Sequence, residues 1–151
     1  MLQTVSLYAV LVIALIFDFR KCRIPNWLVL TGYIMGGLSA YLGDSQWYFY
    51  ILDSFFLLLI LYPLFLVGAF GGGDIKLLTC ISVYLGFEQG LNLSVLAIAI
   101  GAVISILKIG FLLYQKKEFQ FSHLYIHFSL PIVLATLFIN FHGGFIVWQI
   151  F

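Results

Sequence analysis

Long apolar runs, parted only by small clusters of polar or turn-forming residues, dominate this chain and decide what it can become. A backbone crossing lipid must satisfy its own N–H and C=O groups. A helix does so and an open strand does not, and these runs lack the alternation of a barrel strand. A bilayer core of roughly 30 Å, crossed at about 1.5 Å per residue, takes about 20 residues. The 151 residues therefore allow about six spans with short connections and no separate soluble domain. Composition agrees: 64% of the residues are hydrophobic and only 9% are charged. A soluble domain carries roughly 25% charged residues, so this chain has too few to cover a globule in water. The expectation is an all-α integral membrane protein, one polytopic bundle over positions 1–151 embedded in the lipid bilayer.

The spans are expected at about 2–19, 26–42, 47–67, 74–88, 91–114 and 124–150. The start Met1-Leu2-Gln3-Thr4 has no positive n-region, so the first span is not expected to be a cleaved signal. Arg20, Lys21 and Arg23 follow span 1, Lys76 opens span 4, and Lys116 and Lys117 follow span 5. Lys108 lies near the same end of span 5 and can snorkel there. All seven basic residues thus fall on one side, which positive-inside reasoning makes cytoplasmic, and both termini are expected outside. With a net charge of +1 and no basic patch, nucleic acid is excluded as a partner. Cys22 and Cys80 stand far apart, which excludes a zinc knuckle and a disulfide framework.

A carboxylate at the edge of a bilayer core costs a few kcal/mol unless it faces a polar interior. Asp44 and Glu88 are placed in outer loops and Glu118 in the basic inner loop. Asp53, about two turns into span 3, is given a structural role with Ser54 or another helix as its partner. Asp18 and Asp74 differ. One closes span 1 and the other opens span 4, both on the cytoplasmic side. If those spans pack together, the carboxylates meet in a partly dry pocket, where only one of them ionises cheaply. Such a pair can activate water with one member and protonate a carbonyl with the other. Position alone leaves the plainer alternative open, that each belongs to the interfacial boundary beside Arg20 or Lys76.

The flanking residues favour the pair. Asp74 follows Gly71-Gly72-Gly73, a break that survives at membrane depth only where protein buries it or it lines a wet cavity. An extended peptide can lie against such backbone, and the Walker spacing of a phosphate loop is missing. Gly71 and Gly73 are expected to keep this segment non-helical, with a Cβ at Gly73 doing most harm to Asp74. After Asp18 the chain turns sharply through Arg20 to Asn26, with Pro25 fixing φ at the start of span 2 and Asn26 satisfying exposed backbone groups.

Gly71-Gly72-Gly73-Asp74 fits the Gly-x-Gly-Asp motif of intramembrane aspartyl proteases. With Ile75-Lys76-Leu77 behind it, and Asp18-x-Arg20 leading to Ile24-Pro25-Asn26, the chain resembles the prepilin peptidases, or type IV leader peptidases, over about positions 10–140. The late run His127-Phe128-Ser129-Leu130-Pro131-Ile132 resembles a weaker Pro-containing motif of that family. The resemblance implies that Asp18 and Asp74 are the catalytic pair, with Gly71, Gly73, Arg20, Pro25, Asn26, Lys76 and Pro131 positioning the substrate. It implies a pilin-like precursor as partner, with a short basic leader held at the cytoplasmic face of the inner membrane. Larger bifunctional members carry a cytoplasmic insertion after the first span, often with Cys pairs, and methylate the new N-terminus. Only a few residues separate spans 1 and 2 here, so the chain resembles the small peptidase-only form and is expected to need no cofactor, neither zinc nor S-adenosylmethionine. The resemblance leaves an archaeal preflagellin peptidase open as a close relative.

The other chemistry-bearing residues point elsewhere more weakly. His123 and His127 share a helix face but lack a third zinc ligand. Ser6, Ser82, Ser105 and Ser129 have no nucleophile setting, and Trp27, Trp47 and Trp148 read as interfacial anchors. A small proton- or cation-coupled transporter using Asp18, Asp53 and Asp74 is the competing function, but its midplane would be almost empty of polar groups.

Overall fold

The structure is a computed structural model that describes residues 2–43, 47–68, 70–114 and 128–141. Among these residues it has six helices and no strand: α1 (Leu2–Lys21), α2 (Asn26–Gly43), α3 (Trp47–Leu66), α4 (Gly72–Leu85), α5 (Phe87–Tyr114) and α6 (Ser129–Phe141). Three segments, Gln3–Lys21, Trp47–Leu66 and Phe87–Phe111, are long and apolar enough to cross a membrane. Asp44, Lys116, Lys117, Glu118, His123, His127 and Trp148 lie outside the described residues, and with them the expectations placed on them.

The bundle is built around α4. Nine of the 14 residues of α4 are buried, including the unbroken run from Leu77 to Tyr84. It packs against α2, α3 and α5, while α1 packs on α2 and α6, and α6 on α5. Close approach of α2 to α4 depends on small residues. A Cβ at Gly32 would stand 2.5 Å from the Cys80 sulfur, and one at Gly36 would stand 2.9 Å from the Tyr84 ring. Interfaces of this kind are how membrane helices associate, because apolar burial gives little between helices already in lipid.

Polarity runs inside out. Val12, Ile16, Leu30, Ile34, Phe55, Phe56 and Leu107 are exposed on the outer surface, whereas Ser54, Thr79, Ser82, Ser94 and Thr136 are buried. The buried hydroxyls join helices. The Tyr33 hydroxyl donates to Thr79 Oγ1 at 2.8 Å and lies 3.1 Å from Ser54 Oγ, which donates to the Thr79 carbonyl at 2.8 Å. The Tyr84 hydroxyl donates to the Gly32 carbonyl at 2.8 Å. Each such bond is worth about 1 kcal/mol in a membrane bundle, and together they fix α2, α3 and α4 in register.

Two boundaries differ from the sequence reading. α4 begins at Gly72, two residues before Asp74, and α5 begins at Phe87, so Glu88 lies in a first helical turn and not in a loop. The connection shrinks to Gly86, whose φ of 84° is open to glycine and strained for other residues. Its N–H donates to the Ser82 carbonyl at 2.8 Å, and the next N–H, that of Phe87, donates to Asp53 Oδ2 at 3.0 Å. Asp53 on α3 therefore caps α5. That is the structural role expected for it, with another helix and not Ser54 as the partner. Replacing Asp53 by Ala should cost about 1 kcal/mol of stability in detergent, and Asp53→Asn, which keeps an oxygen acceptor, should cost less. Thermal unfolding of the two variants checks this. An Asp53→Ala protein as stable as the wild type would remove the capping role.

Candidate active site

The last turn of α1 and the first turn of α4 meet at one cavity. Asp18 closes α1 and is only 4% exposed. Three residues of helix later, Cys22 takes φ of 49°, a left-handed conformation uncommon outside glycine, and its N–H donates to the Asp18 carbonyl at 2.8 Å. The chain can then double back over Arg23 and Ile24 to Pro25, whose carbonyl accepts the Leu28 N–H at 3.1 Å and so starts α2. Asn26 does something other than cap backbone. Its Oδ1 accepts from Lys76 Nζ at 3.1 Å, tying the start of α2 to the start of α4.

Across the cavity, Gly71 is extended, with φ of −70° and ψ of 143°, and its carbonyl accepts the N–H groups of Asp74 and Ile75 at 3.1 and 3.3 Å. The non-helical break is thus shorter than the glycine run suggests. Gly72 and Gly73 are already helical, and neither Gly71 nor Gly73 has positive φ. What the site needs from these glycines is the absence of a side chain. A Cβ on Gly71 would lie 2.8 Å from Asp74 Oδ2, one on Gly73 would lie 3.4 Å from the Ile24 Cβ, and one on Gly72 would lie 3.3 Å from the Phe65 ring. The glycine that borders the Asp74 carboxyl is Gly71, and Gly73 lets the α1–α2 turn close onto α4. This corrects the order expected from sequence, because in the first helical turn the side chain at the third position leans back over the residue before the helix.

The cavity has a volume of about 620 Å³. Asp18, Asp74, Gly71, Gly73, Pro25, Asn26 and Lys76 all line it, and so do Cys22, Arg23, Ile24 and Gly72. The two carboxyls are near enough for the charge on Asp18 to act on Asp74. Arg20 is exposed and outside the lining, and Pro131 is fully buried in the first turn of α6. Asp53 belongs to a separate cavity of about 540 Å³ beyond the opposite end of α4, beside Gly86 and Phe87.

Ser129 enters the site unannounced by its spacing. Its Oγ donates to Asp18 Oδ2 at 2.6 Å, and its backbone N–H reaches the same oxygen at 3.3 Å. Phe128 beside it packs edge-on against Phe70 at 4.7 Å between ring centroids, which docks the start of α6 against the glycine segment. Gly101 on α5 leaves room for that ring, since a Cβ there would lie 2.5 Å from Phe128 Cε2. The sequence offered a signal only in retrospect: a Ser two residues before a Pro, at the start of an apolar run, is a helix beginning whose free donors need an acceptor.

Two carboxyls on the wall of an open, polar cavity, with extended backbone and an amide beside them, can bind a peptide and exchange protons with water. The comparison with known families bears on which chemistry that is. The model of the type IV leader peptidase family matches residues 5–106, more than half of the chain. The chain belongs to this family. It is an all-helical protease of the type IV leader peptidase kind, with helices suited to a membrane. The match includes both aspartates and the glycine run, and it ends before Ser129 and Pro131. Searches of curated proteins and of solved structures gave no match.

Because Gly71 borders the carboxyl, Gly71→Ala should lower kcat/KM for leader cleavage on the order of tenfold or more, through displacement of Asp74. Gly73→Ala should cost less, since a slight shift of Ile24 accommodates the added methyl, and Gly72→Ala should be tolerated by movement of the Phe65 ring. Kinetics of the three variants beside their melting temperatures will test this. Losses that are equal, and that follow stability, would reduce the glycines to packing.

Proposed function

We propose that this peptidase is an aspartic endopeptidase that removes the short basic leader from pilin-like precursors at the cytoplasmic face of the inner membrane. The observation that carries the reading is that Asp18 and Asp74, from helices far apart in sequence, line one cavity with backbone of Gly71 beside them. In this mechanism the pair shares one proton. The ionised carboxylate takes a proton from water as the water oxygen bonds to the scissile carbonyl carbon, while the protonated partner gives its proton to the carbonyl oxygen. The C–N bond then breaks as the first carboxyl passes its proton to the leaving amine. The second recovers a proton from a hydroxyl of the tetrahedral carbon, and the pair is restored. Asp18 and Asp74 are the catalytic residues of this scheme. Gly71 offers backbone to an extended substrate, Gly73 and Pro25 shape the wall, and Asn26 with Lys76 holds its rim. Arg20, exposed in the last turn of α1 outside the lining, is left to meet the basic leader's surroundings at the membrane face, and Pro131 lies in the first turn of α6.

The whole of positions 1–151 forms, on this reading, one transmembrane domain of six spans with both termini outside. The charge pattern supports that orientation, since Arg23 and Lys76 line the Asp18–Asp74 cavity and Arg20 and Lys21 lie in the same last turn of α1 as Asp18. The four residues between α1 and α2 leave no room for the insertion of the bifunctional enzymes, which supports cleavage without methyl transfer and without zinc or S-adenosylmethionine. A transport pathway through Asp18, Asp53 and Asp74 has less support, because Asp53 is engaged in capping α5 at a different cavity.

Asp18→Asn and Asp74→Asn should each lower the cleavage rate by at least about 10²–10⁴-fold while leaving insertion and expression intact, since the amide keeps the volume and cannot carry the proton. Purified variants in detergent with candidate precursors, followed by sequencing of product N-termini, give the measurement, and near-normal turnover in either variant would falsify the pair. A second test addresses the missing methylation. When S-adenosylmethionine is supplied, the product N-terminus should show no added methyl mass; a methylated product formed by this enzyme alone would overturn the peptidase-only assignment.

A further inference from the structure

We infer that Ser129 is a positioning residue that holds Asp18 as the ionised, water-activating member of the pair, so that Asp74 carries the shared proton. This rests on the aspartic-peptidase reading above and adds an asymmetry that the motifs do not contain. Two donors from one residue converge on a single Asp18 oxygen, the hydroxyl at 2.6 Å and the backbone N–H at 3.3 Å. Hydrogen bonds to an ionised acceptor are about twice as strong as those to a neutral one, so both favour the anion. The N–H belongs to the first residue of α6, and the positive end of that helix acts in the same direction. Ser129 itself is fully buried, which leaves its hydroxyl no path to substrate and makes it an orienting group for Asp18 rather than a nucleophile. The same two bonds fix the carboxylate's rotation, and an orientation set from α6 cannot drift with the α1–α2 turn.

The test uses the full-length protein in detergent and four variants. Ser129→Ala should lower kcat about tenfold or more while KM stays within about twofold, since the lost group acts on proton transfer and not on substrate contact. Ser129→Thr, which restores the hydroxyl, should recover most of the rate. Ser129→Cys, whose thiol is a weak donor, should fall between Ser and Ala, and it carries the comparison if the Ala variant does not fold. Thr136→Val removes another buried hydroxyl of α6, one that bonds only to the Ile132 carbonyl of its own helix, and should keep the normal rate. A folded Ser129→Ala protein with unchanged kcat would overturn the inference. So would a Thr variant as slow as Ala, a Cys variant as fast as Ser, or an equal loss in Thr136→Val. Asp18→Asn and Asp74→Asn in the same assay separate the two levels: if they cleave normally the aspartic mechanism fails, whereas if they are inactive and Ser129→Ala is not impaired only the role of Ser129 fails.

Discussion

A helix that starts inside a protein leaves N–H groups without partners, and the site is assembled from two such starts facing two carboxyls. α4 begins at Gly72, just after Gly71, with Asp74 in its first turn, and α6 begins at Ser129 with Asp18 against its first N–H. The start of α4 favours negative charge on Asp74, and the start of α6 favours it on Asp18 against the opposing field at the end of α1. Bringing two acids together is costly in a medium of low polarity, and these helix starts offset part of that cost. Lys76 also lines the cavity, and its ammonium donates to Asn26 Oδ1 at 3.1 Å.

The position of the pair in turn depends on α4 being short and central. Fourteen residues rise about 21 Å, well under the roughly 30 Å of a bilayer core. This short helix opens its first turn into the cavity. It is stable there because α2, α3 and α5 surround it and because its buried hydroxyls and carbonyls are bonded to theirs. The same contacts tie the Asp74 carboxyl to a rigid element, which holds reacting groups in place better than a loop does.

How far this was legible in the sequence varies with the range of the interaction involved. Depth made Asp18 and Asp74 candidates for a pair, because insertion energetics restrict where an acid can stand and charge clusters give each a side, but only the flanking glycines and motifs favoured the pair over two separate boundary acids. Helix existence followed from length and apolarity, and α1, α2 and α3 begin and end close to their expected limits. The glycine run announced a close approach but not which glycine faces what; the lean of side chains in a first helical turn settles that in favour of Gly71. Glu88 was misplaced because the acceptor that starts α5 early, Asp53, comes from another helix. Ser129 stands 111 residues from Asp18, in a segment whose composition is that of any apolar helix start, and a partner so distant leaves no local trace.

On the proposed function, these constraints also bear on how a membrane-anchored substrate reaches the cavity. A precursor whose leader precedes a hydrophobic helix presents backbone groups that are already paired within that helix, and a scissile bond must be extended to be attacked. Unwinding frees N–H and C=O groups that lipid cannot satisfy. The extended backbone at Gly71, and the turn from Cys22 to Pro25, bring main chain to the cavity wall, so the freed groups of substrate can exchange water or helix partners for enzyme ones. Cleavage is then confined to the stretch of substrate that can leave the helix while its basic leader stays in water and its apolar part stays in lipid. On this account the cut site is selected by the depth of α4's first turn more than by side-chain pockets, which agrees with a lining that offers glycine, proline and a few polar groups and few deep apolar recesses.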